Sequence, residues 1–126
     1  MINSFEQWLS ESTPQIGRVQ AILAEPLTDI PGRITAQLCT VEAWGGRMNT
    51  LLSESNAWLD IAEHDALQKI DPELTVLERE TILKNAVVQY RRYRDIIDGL
   101  CRAISTRISL GQSILRNATK EAGVHV

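Results

Sequence analysis

The sequence predicts an all-α fold, a long antiparallel helical hairpin of coiled-coil type with a small N-terminal helical element. Residues 31–70 and 74–123 each carry apolar side chains that recur at steps of three and four. A short segment with Asp71-Pro72 separates these two stretches. No stretch shows the strict apolar–polar alternation of a strand flanked by turn residues. The 126 residues therefore predict a single domain, with short helices in residues 1–30 and the hairpin in residues 31–123.

The first 30 residues predict two short helices. A capping-box pattern at residues 4–7 starts the first, which ends at Leu9. Residues 10–13 are expected to break the helix, because Thr13-Pro14 reads as an N-cap followed by proline at the first helical position. The second short helix then runs to about Glu25, and residues 26–32, which hold two prolines, form a linker.

The third predicted helix covers residues 31–70. Gly45-Gly46 lies inside its apolar seam and costs about 1 kcal/mol per glycine relative to alanine. The pair is compatible with a kink, a close approach by another helix, or a division into two helices. Trp44 and Trp58 flank the seam and are expected to anchor the core or an interface. The seam consists of Ile34, Leu38, Val41, Gly45, Met48, Leu52, Ser55, Leu59, Ala62 and Ala66.

The fourth predicted helix, residues 74–123, organises the chain. Thr75 and Glu78 form a capping box at its start, and Gly123 can end it in the left-handed conformation. About 47 helical residues span roughly 70 Å, a length that needs support from packing against other helices. Its seam, with one stutter, is Leu83, Ala86, Tyr90, Tyr93, Ile97, Leu100, Ile104, Ile108, Gly111, Leu115, Ala118 and Ala122.

Two long helices cannot bury two such seams alone, so either the short N-terminal helices or other copies of the chain must cover them. A homo-oligomer is the more economical prediction. We expect the C-terminal half of the fourth helix to contribute to the interface. The predicted interface residues are Leu100, Ile104, Ile108, Leu115 and Ala118.

The charges are divided unevenly along the chain. Residues 1–74 hold four bases and eleven acids, a net charge of −7, and residues 75–126 hold nine bases and five acids, a net charge of +4. Either the second half meets an anionic partner, or the acidic and basic helices pair with each other.

The sequence favours a cytoplasmic location, in the host cell if a phage encodes the protein. No apolar run approaches the roughly 20 residues that span a bilayer, and the N-terminus lacks the pattern of a signal peptide. Cys39 and Cys101 are expected to be buried thiols and not a disulfide, as in a reducing compartment.

The sequence offers no constellation for catalysis. His64 and His125 are the two histidines, and neither lies at metal-ligand spacing from another candidate ligand. No phosphate-binding glycine loop or nucleophile motif occurs. We therefore predict a protein that is not an enzyme and that holds no cofactor and no metal.

A basic stripe on the fourth helix is the polar feature that suggests a function. Its members fall within 40° of one another on a helical wheel, away from the apolar seam, and extend over about 54 Å. Such a stripe suits a phosphate backbone, although Tyr90 and Tyr93 lie at seam angles where burial is expected. The alternative is a solvated helix face. The stripe consists of Lys84, Arg91, Arg102, Arg116 and Lys120, with Arg92, Arg94 and Arg107 beside it.

The C-terminal third resembles the UvsY-type phage recombination mediator proteins. The resemblance is carried by Ala103-Ile104-Ser105-Thr106-Arg107, by Ile114, and by Glu121-Ala122-Gly123. It covers about 25 residues well and about 90 loosely, counting the succession of two long helices. It implies an all-α protein that forms ring-like oligomers through C-terminal helices and binds single-stranded DNA to help load a recombinase against a single-strand-binding protein.

The chain departs from that family in its first long helix. The family carries a basic stretch there that is linked to DNA binding, whereas residues 43–63 hold Arg47 as their single base. DNA would then be bound by the second long helix. The leading hypothesis is an oligomeric accessory protein that binds single-stranded DNA, a recombinase or a single-strand-binding protein. The alternative is a helical interaction module, an adaptor or inhibitor, that binds no nucleic acid.

Overall fold

The computed structural model describes residues 4–121, and this part of the chain contains three helices and no strand. Helix α1 is Phe5–Ala24, α2 is Pro31–Lys69 and α3 is Val76–Glu121. The all-α prediction is confirmed. The expected end of the last helix at Gly123 lies outside the described residues.

Helices α2 and α3 form the predicted hairpin. Gly45 faces Ile104, and Gly111 faces Leu38, so residue numbers rise on one helix as they fall on the other. Helix α1 packs along one side of this pair, antiparallel to α2 and parallel to α3. Its first residue, Phe5, lies against Trp58, and the backbone near its end accepts hydrogen bonds from α3.

The N-terminal element is one helix, so the predicted break at residues 10–13 is wrong. Ser4 caps the helix as expected, since its Oγ accepts a hydrogen bond from the Gln7 amide at 3.1 Å. Pro14 lies inside the helix and cannot donate to the preceding turn. Burial on both sides of the proline offsets this loss. The buried face runs unbroken across it through Trp8, Ser12, Ile16 and Val19.

Helix α2 is continuous through Gly45-Gly46, so the division into two helices is wrong. A Cβ atom placed on Gly45 would lie 3.4 Å from Cγ2 of Ile104, whereas one on Gly46 would meet nothing within 4 Å. The first glycine therefore marks a close approach of α3, one of the outcomes that the sequence left open. Trp44 and Trp58 both pack half-buried against the core, as predicted.

The core follows both predicted seams for most of their length, with two shifts of one residue. On α3, Val87 is fully buried and Ala86 is exposed. On α2, Leu51 is buried and Leu52 is only half-buried. The shift at Leu51 arises where a third helix changes what the hairpin buries, because the core cluster joins Leu51 to Trp8 of α1.

The turn between α2 and α3 is built as expected. The Asp71 carboxylate accepts a hydrogen bond from the Glu73 amide at 2.9 Å, and the Thr75 hydroxyl accepts one from the Glu78 amide at 3.2 Å. The Thr75 hydroxyl also donates to the Glu78 carboxylate at 3.0 Å. Thr75 thus caps the first turn of α3. The cap differs from a full capping box because the Glu78 carboxylate accepts from the Thr75 hydroxyl and not from a backbone amide.

Replacing Thr75 with alanine is expected to lower the free energy of unfolding by about 1 kcal/mol, because the Glu78 amide loses its acceptor. Thr81→Ala is the matched control, since the Thr81 hydroxyl donates to the Leu77 carbonyl within the helix and caps nothing. Urea denaturation followed by circular dichroism measures both. Equal losses in the two variants would contradict the role of the cap.

Candidate functional site

Four of the eight predicted nucleic-acid-binding side chains are engaged within the chain. Arg91 pairs with Glu63 of α2 at 3.5 Å, Arg94 with Asp95 at 2.9 Å, and Arg102 with Asp98 at 2.7 Å. Within residues 4–121, the Arg91 pair is the single ion pair that joins two helices. The uneven charges along the chain left open that the acidic and basic helices pair with each other. Such pairing occurs at one position, between Arg91 and Glu63.

Arg107 is the fourth engaged side chain, and it joins α3 to the end of α1. Its guanidinium donates to the carbonyl oxygens of Leu23 and Glu25. These carbonyls at a helix C-terminus lack an intrahelical donor, and the positive charge suits the negative end of the helix dipole. The side chain is half-buried, so it stabilises the bundle and offers little charge to a ligand.

The other four side chains are exposed and form no ion pair among the described residues. They lie along α3 from its first third to its last turn, and two of them share the last two turns. These unpaired cations are Lys84, Arg92, Arg116 and Lys120.

The aromatic residues between the bases lie within the bundle. Phe5 stacks on Tyr90 with 4.0 Å between ring centroids and meets Tyr93 edge-on at 6.2 Å. Both tyrosines are half-buried, as their seam angles predict. Phe5 of α1 covers one face of Tyr90 and contacts Tyr93, so neither tyrosine is a fully exposed platform for stacking on bases.

The predicted oligomer interface is partly used within one chain. Ile104 is buried and faces Gly45, and Leu100 and Ile108 pack half-buried against the core cluster. Leu115 and Ala118 are half-buried near the end of α3. Ile104 therefore contributes to the fold of one subunit, and Leu115 and Ala118 retain surface for a second one.

An exposed apolar surface that was not predicted from the sequence lies at the end of the hairpin near the turn, in residues 60–88, which we call the hairpin tip. Helix α1 has 20 residues, about 30 Å, whereas α2 has 39, about 58 Å. Exposed large apolar side chains at the tip are Ile61, Leu67, Val76, Leu77, Ile82 and Val88. These apolar residues lie outside the two heptad seams in the sequence, and that position is the signal from which their exposure could have been predicted.

The cysteines differ from each other in burial. Cys39 is exposed, so the prediction of a buried thiol is wrong there, and Cys101 is half-buried. Both are free thiols. Burial, with a smaller contribution from Asp98, raises the pKa of Cys101, which keeps this thiol protonated and weakly nucleophilic at neutral pH.

Within residues 4–121, no three side chains of His, Cys, Asp or Glu come together as metal ligands. None of the helices in this part of the chain is long and apolar enough to cross a membrane.

The comparisons with known proteins leave the family open. No protein-family model, curated protein or solved structure matches the chain. The resemblance to recombination mediators thus stays a prediction from the residues quoted for it.

Proposed function

We propose that the protein is a non-enzymatic, homo-oligomeric helical accessory protein that binds single-stranded DNA along α3, in the manner of a recombination mediator. The observation that carries this proposal is the set of four exposed, unpaired cations on α3. They stay available to phosphates because none of the four ion pairs among the described residues involves them. The resemblance of the C-terminal third to recombination mediators supports the same ligand, single-stranded DNA, coated by a recombinase or a single-strand-binding protein.

The proposed contact is electrostatic and independent of base sequence. Lysine and arginine neutralise phosphates and release condensed counterions, so affinity falls with salt at about 0.7 log units per contact on a single strand. Four contacts predict a log–log slope of about −3. Since both tyrosines are partly covered by α1, stacking adds little, and one subunit binds weakly. Several copies in an oligomer would add their sites and raise the avidity.

Fluorescence anisotropy with a long unstructured oligonucleotide tests the proposal at about 50 mM salt and upward. The double variant Arg116→Glu/Lys120→Glu is expected to weaken binding more than tenfold and to reduce the slope by about 1.4, because two contacts are lost. Both side chains are exposed and unpaired, so the fold is expected to persist.

The matched control is Arg18→Glu/Arg47→Glu, which makes the same change in net charge on α1 and α2 at two exposed side chains that form no ion pair among the described residues. Its binding curve should stay within about threefold of the wild type, because the screened field of distant charges falls off over about 10 Å. Equal weakening by both double variants would mean that only net charge matters. Absence of binding by the wild type at low salt would refute the proposal.

The second candidate is an interaction module that binds no nucleic acid, and the exposed apolar tip favours it. Clustered apolar surface of this kind marks contacts with proteins. In that case, the cations of α3 are a solvated helix face and both double variants behave as the wild type does.

A further inference from the structure

A pocket lies at the end of the hairpin, where the last turn of α2 meets the first two turns of α3 across Pro72. Helix α1, which lies in the groove between α2 and α3, starts beside Trp58 and does not reach the pocket. The volume of the pocket is about 410 Å³, a size typical of small-molecule sites. We call it the tip pocket, and its apolar walls are Leu67, Ile70, Pro72, Val76 and Leu83.

One arginine, Arg79, completes the wall of the tip pocket. Val76, Arg79 and Leu83 follow one another at steps of three and four, so they share the face of α3 that lines the pocket. The Arg79 side chain is half-buried, and its Nε–H is fully buried with no acceptor among the described residues. A buried donor without an acceptor, above all on a charged group, loses its hydration without compensation. The tip pocket therefore holds an unsatisfied cation.

The other half-buried arginines of α3 show what Arg79 lacks. Arg91 and Arg94 each pair with an acidic side chain. Arg107 also has a buried Nε–H without an acceptor, but both of its Nη atoms donate to backbone carbonyls. Within residues 4–121, Arg79 is the one half-buried arginine whose side chain has neither an ion pair nor a hydrogen bond. A bound anion would supply the acceptor that the chain itself does not.

The apolar walls and the cation together define the chemistry of a ligand. The walls favour an alkyl or aryl chain, and the planar guanidinium matches a carboxylate, which accepts two parallel hydrogen bonds from it. Glu80 also lines the pocket, where its side chain is exposed and forms no ion pair among the described residues. Its carboxylate repels a second negative charge, so a singly charged ligand fits better than a phosphate ester or a nucleic acid.

We propose that the tip pocket binds a small monocarboxylate with an apolar chain, which forms an ion pair with Arg79. The apolar chain of the ligand would cover Leu67 and Val76, which are 58% and 62% exposed. Removal of this apolar surface from water favours binding. The proposal goes beyond the proposed function and does not rest on it, because it uses none of the four unpaired cations of α3 that carry DNA binding.

An NMR titration with octanoate tests the proposal, since the Nε–H group of an arginine gives its own nitrogen–proton signal. The wild type is expected to bind octanoate with a Kd of about 0.1–1 mM and to shift the Nε–H signal of Arg79. Octanol has the apolar chain without the charge, and acetate has the charge without the chain. Each should bind at least tenfold more weakly than octanoate, because each lacks one half of the recognition.

Two variants remove the cation in different ways. Arg79→Gln deletes the charge, and Val76→Asp places a carboxylate one turn before Arg79, where it supplies the missing acceptor and repels the ligand. Each should weaken octanoate binding at least tenfold. Leu77→Asp is the matched control for the second variant, because it makes the same change at a 73% exposed side chain that does not line the tip pocket. Its Kd should stay within about threefold of the wild type.

Circular dichroism shows whether each variant is folded, and Val76→Asp keeps the test decisive should Arg79→Gln unfold the chain. Equal affinities for octanoate and octanol would overturn the proposal, because the pocket would then bind apolar chains without Arg79. Unchanged octanoate binding in both variants would overturn it as well. So would a wild type whose Arg79 signal does not move at about 10 mM octanoate. Loss of DNA binding by Arg116→Glu/Lys120→Glu reports separately on α3 and should leave octanoate binding unchanged.

Discussion

Replacing Ile97 with alanine is expected to lower the free energy of unfolding by about 2–5 kcal/mol. Ile97 is completely buried on α3, in the core cluster that also holds Trp8 of α1 and Met48 of α2. Removing three methyl or methylene groups loses their transfer free energy and leaves a cavity among three helices. The walls of that cavity come from separate helices, which limits how far they can collapse into it.

Ile96→Ala is the matched control, since it makes the same chemical change one residue away. Ile96 is 37% exposed, so its loss is expected to cost less than about 1 kcal/mol. Urea denaturation followed at 222 nm gives both values, provided that the slopes agree. A larger loss for Ile96 than for Ile97 would mean that the seam of α3 is misplaced by one residue.

The sequence predicts the hairpin well because its signals are local and repeated. The same two helices are specified by a proline in the turn, a threonine cap and many heptad steps. An atypical residue at one position therefore does not change the prediction. Thr13-Pro14 predicts a helix boundary that does not occur, because a single dipeptide carries no information about tertiary packing. The burial of Trp8 before it and Ile16 after it decides the outcome, and that burial depends on where α1 packs.

The candidate surfaces were less predictable than the helices. A helical wheel places the basic residues on one side of α3, yet the acids that pair with Arg91 and Arg102 depend on register and rotamer. The Arg107 guanidinium donates a hydrogen bond to the Leu23 carbonyl at the end of α1, and these two residues are more than 80 positions apart in the sequence. The hairpin tip depends on where α1 begins along the groove, which no local pattern encodes.

Two glycines of α3 are expected to respond in opposite ways to replacement by alanine, because Gly111 lies against Leu38 and Gly99 faces open space. Gly99→Ala is expected to raise the free energy of unfolding by about 1 kcal/mol, because alanine favours the helix and its Cβ would meet nothing within 4 Å. Gly111→Ala should instead lower it by about 1–2 kcal/mol, since overpacking exceeds the gain in helix propensity. A Cβ on Gly111 would overlap Cδ2 of Leu38 and lie 3.0 Å from its Cγ.

Leu38 cannot simply turn aside, because it is itself only 8% exposed. A double-mutant cycle isolates the contact: Leu38→Ala alone should cost about 2–5 kcal/mol, and markedly less when Gly111→Ala is already present. The coupling arises because the new methyl group occupies part of the space that the leucine leaves. If Gly111→Ala stabilised the protein as much as Gly99→Ala does, α2 and α3 would not approach closely at this level, and the register of the hairpin would have to be redrawn.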